Sequence, residues 1–572
     1  MSTLINNQQN PTWWKNAVGY QIYPKSFYDS NSDGIGDLQG IIQKIPYIKS
    51  LGVNFVWLSP FFASPNVDNG YDVSNYEDVD PQYGTLDDTF KMIDDFHRND
   101  IRVVFDLVIN HTSDQHRWFQ EAKKSIDNPY HDFYIWRKAD NGKLPNNWVS
   151  LFGGSAWEYN PATDEYYYHL FAKQQPDLNW ENPKVHQAVM KIIDWWAAKG
   201  VDGFRLDAIS HLKKNQSFAD VADQEDAMNN VPGIDKLLAE LSADFKRDHL
   251  MTVGEAGGVP VRRAQQWVNS KNGYFDMIFQ FDHVSFWEKF TVGQVDVAQL
   301  RQALSNWQTG LEGIGWNALF LENHDLPRAV SYFGNDTTMR SQSATALAMM
   351  YFLMKGTPFI YQGQELGMSN VDFETIDQYR DLDSKRFYRE ELQKGATKAQ
   401  TLFKLRSKSR DNARTPMQWD RTSTGGFSSH KPWIEVNPNN VEVNVETEET
   451  NANSVLNFYR KLVELRRHDP ILLDGQYALV NTNDHQLYVY TRESGRSGYL
   501  IITNLSDQSA SYQVPDTYQN LKLVLTNDSE KQRPASMKLQ PWSAYLYKYE
   551  RNWSYEIKQQ SNAHYLPGQL GK

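Results

Sequence analysis

Short runs rich in β-branched and aromatic residues alternate with longer amphipathic stretches from about residue 17 to residue 365. The runs are VGYQIYP (18–24), NFVWLSP (54–60), RVVFDLVIN (102–110), DGFRLDAI (202–209), MTVGEA (251–256), FDMIFQF (275–281), NALFLEN (317–323) and PFIYQGQE (358–365), and each reads as a strand. Between them lie helix-like segments such as LQGIIQKIPYIKSLG and VHQAVMKIIDWWAAKG, each closing on a glycine, a normal helix stop. Eight strand-then-helix units in succession predict an α/β fold, a closed parallel (β/α)8 or TIM barrel. An open doubly wound sheet would carry a glycine-rich phosphate fingerprint after its first strand, and none is present.

The rhythm breaks once. About 70 residues, 111–180, separate the third strand from the next helix and are rich in Tyr, Trp, Asn and Pro. A loop of that length inside an ordered domain predicts an inserted subdomain. Beyond about residue 475 the pattern becomes short alternating runs, QLYVYTR, GYLIITNL, LKLVLTN and SAYLYKY, as in an antiparallel β-sandwich. The expected organisation is a barrel from 1–110 and 181–475, an insert at 111–180, and a C-terminal sandwich at 476–572 ending in a polar tail.

Composition narrows the partners. The 58 Lys and Arg against 70 Asp and Glu give a net charge of −12, a surface that repels nucleic acid. Cysteine is absent, which excludes disulfides and fits a reducing compartment. The start MSTLINNQQNPTWWKN has no signal-peptide pattern, and no apolar run is long enough to cross a membrane. A cytoplasmic protein is the expectation. The 18 Trp and 31 Tyr supply flat rings for lining a cleft.

Barrel chemistry is placed at the C-terminal ends of the strands. There the third strand ends in Asn110 and His111, the fourth carries Arg205 and Asp207, the fifth ends at Glu255, and the seventh runs into Asn323, His324 and Asp325. A single acidic residue at such an end, Asp106 for instance, is explained by a salt bridge or a helix cap. Three carboxylates, an arginine and two histidines on one rim are not. Paired carboxyls are the minimum for glycoside cleavage, one protonating the leaving oxygen while the other attacks. Metal-dependent hydrolysis would want a His-x-His pair or an HExxH helix, and neither occurs.

In this order on strands three, four, five and seven, DLVINHTS, GFRLDAI, TVGEA and ENHD resemble the four signature regions of the α-amylase family of glycoside hydrolases. QPDLNW (175–180) and RDNARTPMQW (410–419) resemble its oligo-1,6-glucosidase, dextran glucosidase and α-glucosidase branch. The resemblance implies Asp207 as nucleophile, Glu255 as acid/base and Asp325 as the third carboxylate, with Arg205 keeping Asp207 ionised and His111 and His324 on sugar hydroxyls. It implies that Tyr71 stacks on the terminal glucose and that Asp68 pairs with an arginine of RDNARTP, taken as Arg414 rather than Arg410, to close the pocket. Phe171 and Gln175 resemble pocket-lining residues of the branch. A closed pocket implies exo action on small oligosaccharides.

The loop DSNSDGIGD (29–37) offers Asp29, Asn31, Asp33, the Ile35 carbonyl and Asp37 at EF-hand spacing, with glycine sixth. The twelfth place is Gly40 instead of glutamate, and a strand precedes the loop. That excludes an EF-hand switch; the resembling branch has a structural calcium site at this connection. The residue after the nucleophile is Ala208, where the branch's α-1,6 enzymes carry valine. With GEAGGV (254–259) this leads to the expectation of an α-glucosidase acting on maltose and maltooligosaccharides, the alternatives being an oligo-1,6-glucosidase or a sucrose-isomerising enzyme. A transporter subunit or non-catalytic glucan scaffold of the family would lack the carboxylates or carry an anchor.

Overall fold

Every expected barrel strand overlaps an observed one, and only the eighth begins earlier than expected, by one residue. In the computed structural model, which describes residues 11–138, 140–285, 296–480, 484–529 and 536–551, these are β1 (Gly19–Ile22), β2 (Phe55–Leu58), β3 (Arg102–Leu107), β4 (Gly203–Leu206), β5 (Met251–Glu255), β6 (Met277–Phe279), β7 (Ala318–Leu319) and β8 (Thr357–Tyr361). They form one parallel sheet in the order β6-β5-β4-β3-β2-β1-β8-β7, and a parallel bridge from Ile278 to Asn317 closes it.

Strand residues are buried on both faces because helices cover the outside and side chains fill the inside. Phe55 and Trp57 of β2 point inward with Val104, Met251, Val253, Met277, Phe279 and Phe359, while Val56 and Leu58 pack outward. Gly19 leaves room for that filling: a Cβ there would stand 2.5 Å from the Phe55 ring. The first helix, Leu38–Leu51, starts where the Asp37 side chain accepts from the Gly40 amide and stops at Gly52 with φ 82°. Helix Leu86–Arg98 begins with a capping box of Thr85 and Asp88.

Between β3 and helix Pro183–Ala197 the strands Trp136–Lys138, Glu165–Tyr168 and Trp157–Asn160 make an antiparallel sheet in that spatial order. Its own core includes Trp148, Trp157, Tyr166 and Tyr168. A second excursion follows β8, with helices Leu382–Gln393, Lys398–Lys408 and Asp411–Arg414 around Val371, Phe373, Tyr379 and Leu405.

The C-terminal strands form an antiparallel sheet of Gln476–Leu479, Leu487–Ser494, Ser497–Asn504, Ala544–Arg551 and Tyr518–Thr526, facing the pair Ala510–Tyr512 and Met537–Leu539. It is fastened to the barrel beside β8. Tyr490 donates to the Met350 carbonyl at 2.8 Å, and Arg492 reaches the carbonyls of Leu353 (2.7 Å) and Gly475 (3.0 Å). Buried Arg466 donates to the carbonyls of Met354 and Gly356. No described helix is long and apolar enough to cross a membrane. The polar tail and the first ten residues lie outside the described residues.

Candidate active site

At the C-terminal end of the barrel one guanidinium gathers three acids. Arg205 on β4 donates from Nη1 to Asp207 Oδ1 at 2.7 Å and to Asp106 Oδ1 at 2.9 Å, and its Nη2 lies 2.8 Å from Glu255 Oε2. Arg205 and Asp207 are two residues apart, so strand alternation turns both inward. Asp106, the expected stitch of the rim, also accepts from Trp57 Nε1 (3.2 Å) and the Tyr71 hydroxyl (3.1 Å).

Immediately after Asp207 the chain leaves the strand abruptly. Ala208 has φ 46°, the left-handed region, at a cost of about 1–2 kcal/mol for a non-glycine residue. The kink aims the Ala208 amide at Glu255 Oε2, 2.9 Å away. It thus connects the two carboxyls a second time.

Burial pushes the Asp207 carboxyl well above the usual carboxylate range; Arg205 opposes this, and the charges of Glu255 and Asp106 add to it. Asp106 is raised in the same way, burial outweighing Arg205 and His324. Asp325 goes the other way. Burial would raise it, but His324, Arg410 and Arg414 hold it well below the usual range. Asp68 rises to about 6 because burial outweighs Arg410 and Arg414. His111 falls to about 4, burial outweighing the nearby Asp177, so its ring is neutral at pH 7.

These groups surround a cavity of about 200 Å³. Asp68, Tyr71, His111, Phe171, Asp207, Ala208, Glu255 and Asp325 all line it, as expected, and Arg410, Leu151 and Phe152 complete the wall. Ser210, His211 and Gly257 border the side next to Ala208.

Other expected sugar contacts sit behind the wall. His324 is fully buried: its Nε2 meets the Tyr71 hydroxyl at 2.5 Å and Asp325 Oδ2 at 3.1 Å, and its ring stacks on Tyr71 at 5.3 Å. Buried Gln175 supports the wall, its amide 3.2 Å from Asp68 Oδ2 and 3.1 Å from His111 Nε2.

The arginine at the closed end is Arg410, which corrects the choice of Arg414. Arg410 Nη2 lies 3.5 Å from Asp68 Oδ1 and 2.6 Å from Asp381 Oδ1, and its Nη1 is 3.2 Å from Asp325 Oδ1. Arg414 stands one turn further along the short helix Asp411–Arg414 and is 1% exposed. It holds Asp325 Oδ1 (2.6 Å) and the His324 carbonyl (3.0 Å) from beneath.

Sequence reasoning missed three supporting residues: Asp381 and Lys214, which lie in no recognised motif, and Asp177, which lies in QPDLNW without its partner being visible there. Asp381 anchors Arg410, and Lys214 and Asp177 form a fully buried pair 2.6 Å apart. Lys214 also reaches Asn110 Oδ1 at 2.7 Å, tying the chain after the nucleophile to the end of β3 and to the insert. In the run HLKK its neighbour Lys213 turns out to Glu181 instead. Nothing in two adjacent lysines says which is buried.

The 29–37 loop lies away from this pocket, between β1 and the first helix. Gly34, at φ 89°, packs under the Lys431 carbonyl, which a Cβ would approach to 2.3 Å. Its donors are all oxygens, as calcium requires. Asp29 accepts the amides of Asn31, Ser32 and Gly34, and Asp37 those of Ser30 and Gly40. Asp33 accepts from Ile35 and Asn31 from Asp33. Among the described residues no three acidic, histidine or cysteine side chains are gathered as a metal-holding group.

The family described as the α-amylase catalytic domain matches residues 21–475. The chain is 46% identical over 548 residues to the probable oligo-1,6-glucosidase 3 of Bacillus subtilis (strain 168), covering 94% of this chain and 99% of that one. It is 45% identical over 554 residues to the oligo-1,6-glucosidase of Parageobacillus thermoglucosidasius, with the same coverage. The crystal structure of Bacillus licheniformis trehalose-6-phosphate hydrolase superposes with a TM-score of 0.90 at 40% identity, covering 94% of this chain and 100% of that one.

Proposed function

Because this chain belongs to the α-amylase family of glycoside hydrolases, we propose that its pocket removes single glucosyl units from the non-reducing ends of short α-glucosides with retention of configuration, and that α-1,6-linked oligosaccharides are its main substrates. The observation that carries the chemistry is the shared guanidinium: Asp207 and Glu255 each bind Arg205 within 2.8 Å. Two carboxyls that share one guanidinium are compatible with the roughly 5–5.5 Å spacing of a retaining pair, which supports retention.

Asp207, steered by Arg205, attacks the anomeric carbon while Glu255 in its acid form protonates the departing oxygen. Glu255 then takes the proton from the water that releases glucose. Three acids around one cation favour keeping a proton within the cluster, which this cycle needs. Asp325, held ionised by two arginines and His324, stabilises the ring as positive charge develops on it. The Asp68–Arg410 contact closes the far side, which supports exo action.

The linkage rests on relatives. Proteins 43–46% identical over nearly the whole chain bear the name oligo-1,6-glucosidase. A second reading, hydrolysis of α-1,4 bonds in maltose and maltooligosaccharides, is favoured by the small side chain of Ala208 and by Gly257 on the acceptor side. A phosphorylated acceptor is disfavoured: the only cation among the described lining residues is Arg410, already bound to Asp68, Asp325 and Asp381. Sucrose isomerisation would use the same covalent intermediate, with the departing sugar as acceptor.

The test is kcat/KM for isomaltose, maltose, sucrose and trehalose 6-phosphate. Preference for isomaltose by tenfold or more supports the proposal. Preference for maltose establishes the second reading, and failure to release glucose from either overturns both. Calcium belongs to the proposal as a brace for the 29–37 loop, held by Asp29, Asn31, Asp33, the Ile35 carbonyl and Asp37, with no step in the reaction.

A further inference from the structure

The tightest partner of Arg410 is a residue that takes no part in the pocket wall. Asp381 is fully buried and lies behind the arginine. Its Oδ1 accepts from Arg410 Nη2 at 2.6 Å and from Nε at 3.0 Å, two donors on one oxygen. The acids on the pocket side are held less closely. Asp325 Oδ1 is 3.2 Å from Nη1, and Asp68 Oδ1 is 3.5 Å from Nη2. Both distances exceed the ~2.7–2.9 Å of a full charge-assisted hydrogen bond.

The surroundings of Asp381 fix it in place. It caps helix Leu382–Gln393, its Oδ2 accepting from the Ser384 amide (2.8 Å) and hydroxyl (2.7 Å). That leaves Oδ1 for the arginine. Its own amide and that of Arg380 donate to Asp411 Oδ2 at 2.9 Å and 2.7 Å. Burial alone would raise the Asp381 carboxyl, but Arg410 and Arg414 hold it below the usual range, so it is ionised at neutral pH. The Arg410 guanidinium also lies over the Phe152 ring, 5.5 Å from its centre.

The consequence for a sugar follows from which oxygens are already used. Asp68 Oδ2 accepts from Gln175 at 3.2 Å, so Oδ1 is the oxygen left for a hydroxyl. A cation among carboxylates is drawn toward those that remain charged. With Asp381 neutral, Asp68 and Asp325 are the acids still pulling on Arg410. The arginine would then close on Asp68 Oδ1, the acceptor that the terminal glucose needs.

We propose that Asp381 is a positioning residue for that glucose: it holds Arg410 back from Asp68 and Asp325, so that acid and arginine both keep hydrogen-bonding capacity for the sugar's hydroxyls. The assignment rests on the exo-glucosidase reading above. It adds a residue that touches neither the substrate nor the reacting atoms.

The experiment uses full-length variants, p-nitrophenyl α-glucoside as substrate and glucose as competitive inhibitor, because glucose fills the terminal position alone. Asp381→Asn keeps an N-cap oxygen for Ser384, asparagine and aspartate being equivalent caps, and deletes the charge. It should raise KM and the glucose Ki together by about tenfold or more, with kcat within about threefold of wild type. Ser384→Ala removes a bond from Asp381 and leaves its charge. It should lower the urea unfolding midpoint without changing KM or Ki. If Asp381→Asn does not fold, Asp381→Glu, which displaces the charge by one methylene, carries the same expectation. Unchanged KM and Ki in a folded Asp381 variant make the residue a helix cap alone and overturn the assignment. A fall in kcat as large as the rise in KM places its effect on the chemical step and overturns it too. Either result leaves the proposed function standing, whereas a wild type that does not cleave p-nitrophenyl α-glucoside overturns both.

Discussion

Lys214 gives the sharpest test of how the site is held. Its ammonium and the Asp177 carboxylate have no solvent exposure and stand 2.6 Å apart. Asp177 also accepts from the Leu170 amide (2.7 Å) and from Asn110 Nδ2 (2.8 Å), and its backbone bridges to His111. Lys214→Met keeps the stem and deletes the charge, leaving a carboxylate buried without its cation.

Breaking such a pair costs about 3–5 kcal/mol, more than the intact pair contributes, because the desolvation already spent is no longer offset. Adding Asp177→Asn removes the stranded charge while the amide oxygen can still accept from Leu170, so the double variant should recover most of the loss. A buried carboxyl that has lost its counter-charge is favoured in its protonated form. A carboxyl raised on folding contributes stability below the unfolded pKa and loses it as pH rises through the folded one. The deficit against wild type should therefore be large at pH 7.5 and shrink toward pH 4.5. Urea unfolding of the three proteins at both pH values measures this. A single variant as stable as wild type at pH 7.5, a double no better than the single, or a deficit that grows on acidification would refute the reasoning.

Three further outcomes follow from the same geometry. Asp207→Asn should abolish turnover of every glucoside, whereas Glu255→Gln should lose about 10²–10⁴-fold on isomaltose yet still release p-nitrophenol in a first-turnover burst, since that leaving group needs no proton; absence of the burst would exchange the roles. Asp68, raised to about 6, contributes stability below about pH 4 that is lost as pH rises through 6. Asp68→Asn should thus melt higher than wild type at pH 7.5, by a ceiling of about 3 kcal/mol, match it at pH 4, and show a higher KM. Calcium at a hundredfold excess over its Kd should stabilise the protein by about 2.7 kcal/mol, an effect absent in Asp33→Ala; unchanged melting with calcium and with chelator would remove the ion from the proposal.

The barrel was legible because each strand is covered on both faces and so appears as a compact apolar run between helix patterns. The meeting of the carboxyls was legible because strand ends fix their direction: Asp207 follows Arg205 by two and points the same way. Where regular alternation stops, so does the reading. His324 adjoins Asp325 in an irregular stretch, and only its packing on Tyr71 reveals that it braces the wall. Arg410 and Arg414 share a helix face about 6 Å apart along its axis. Which one meets Asp68 depends on how deeply that helix is seated, and the excursion after β8 that seats it left no clear periodicity. Leu151, Phe152, Ala208 and Gly257 reach the pocket wall from three distant stretches, so the shape of that wall is written in their assembly and not in any one motif.

The arginines at the junction with the C-terminal sheet set how far this chain can be shortened. Carbonyls at the end of the helix leading into β8, those of Leu353, Met354 and Gly356, receive their hydrogens from Arg492 and Arg466. A fragment cut after residue 475 would lose Arg492 and Tyr490 and leave part of that carbonyl cluster without donors, next to the strand that completes the ring. The appended sheet therefore supplies donors that the barrel's own chain does not, and the catalytic half alone should be less stable than the full chain.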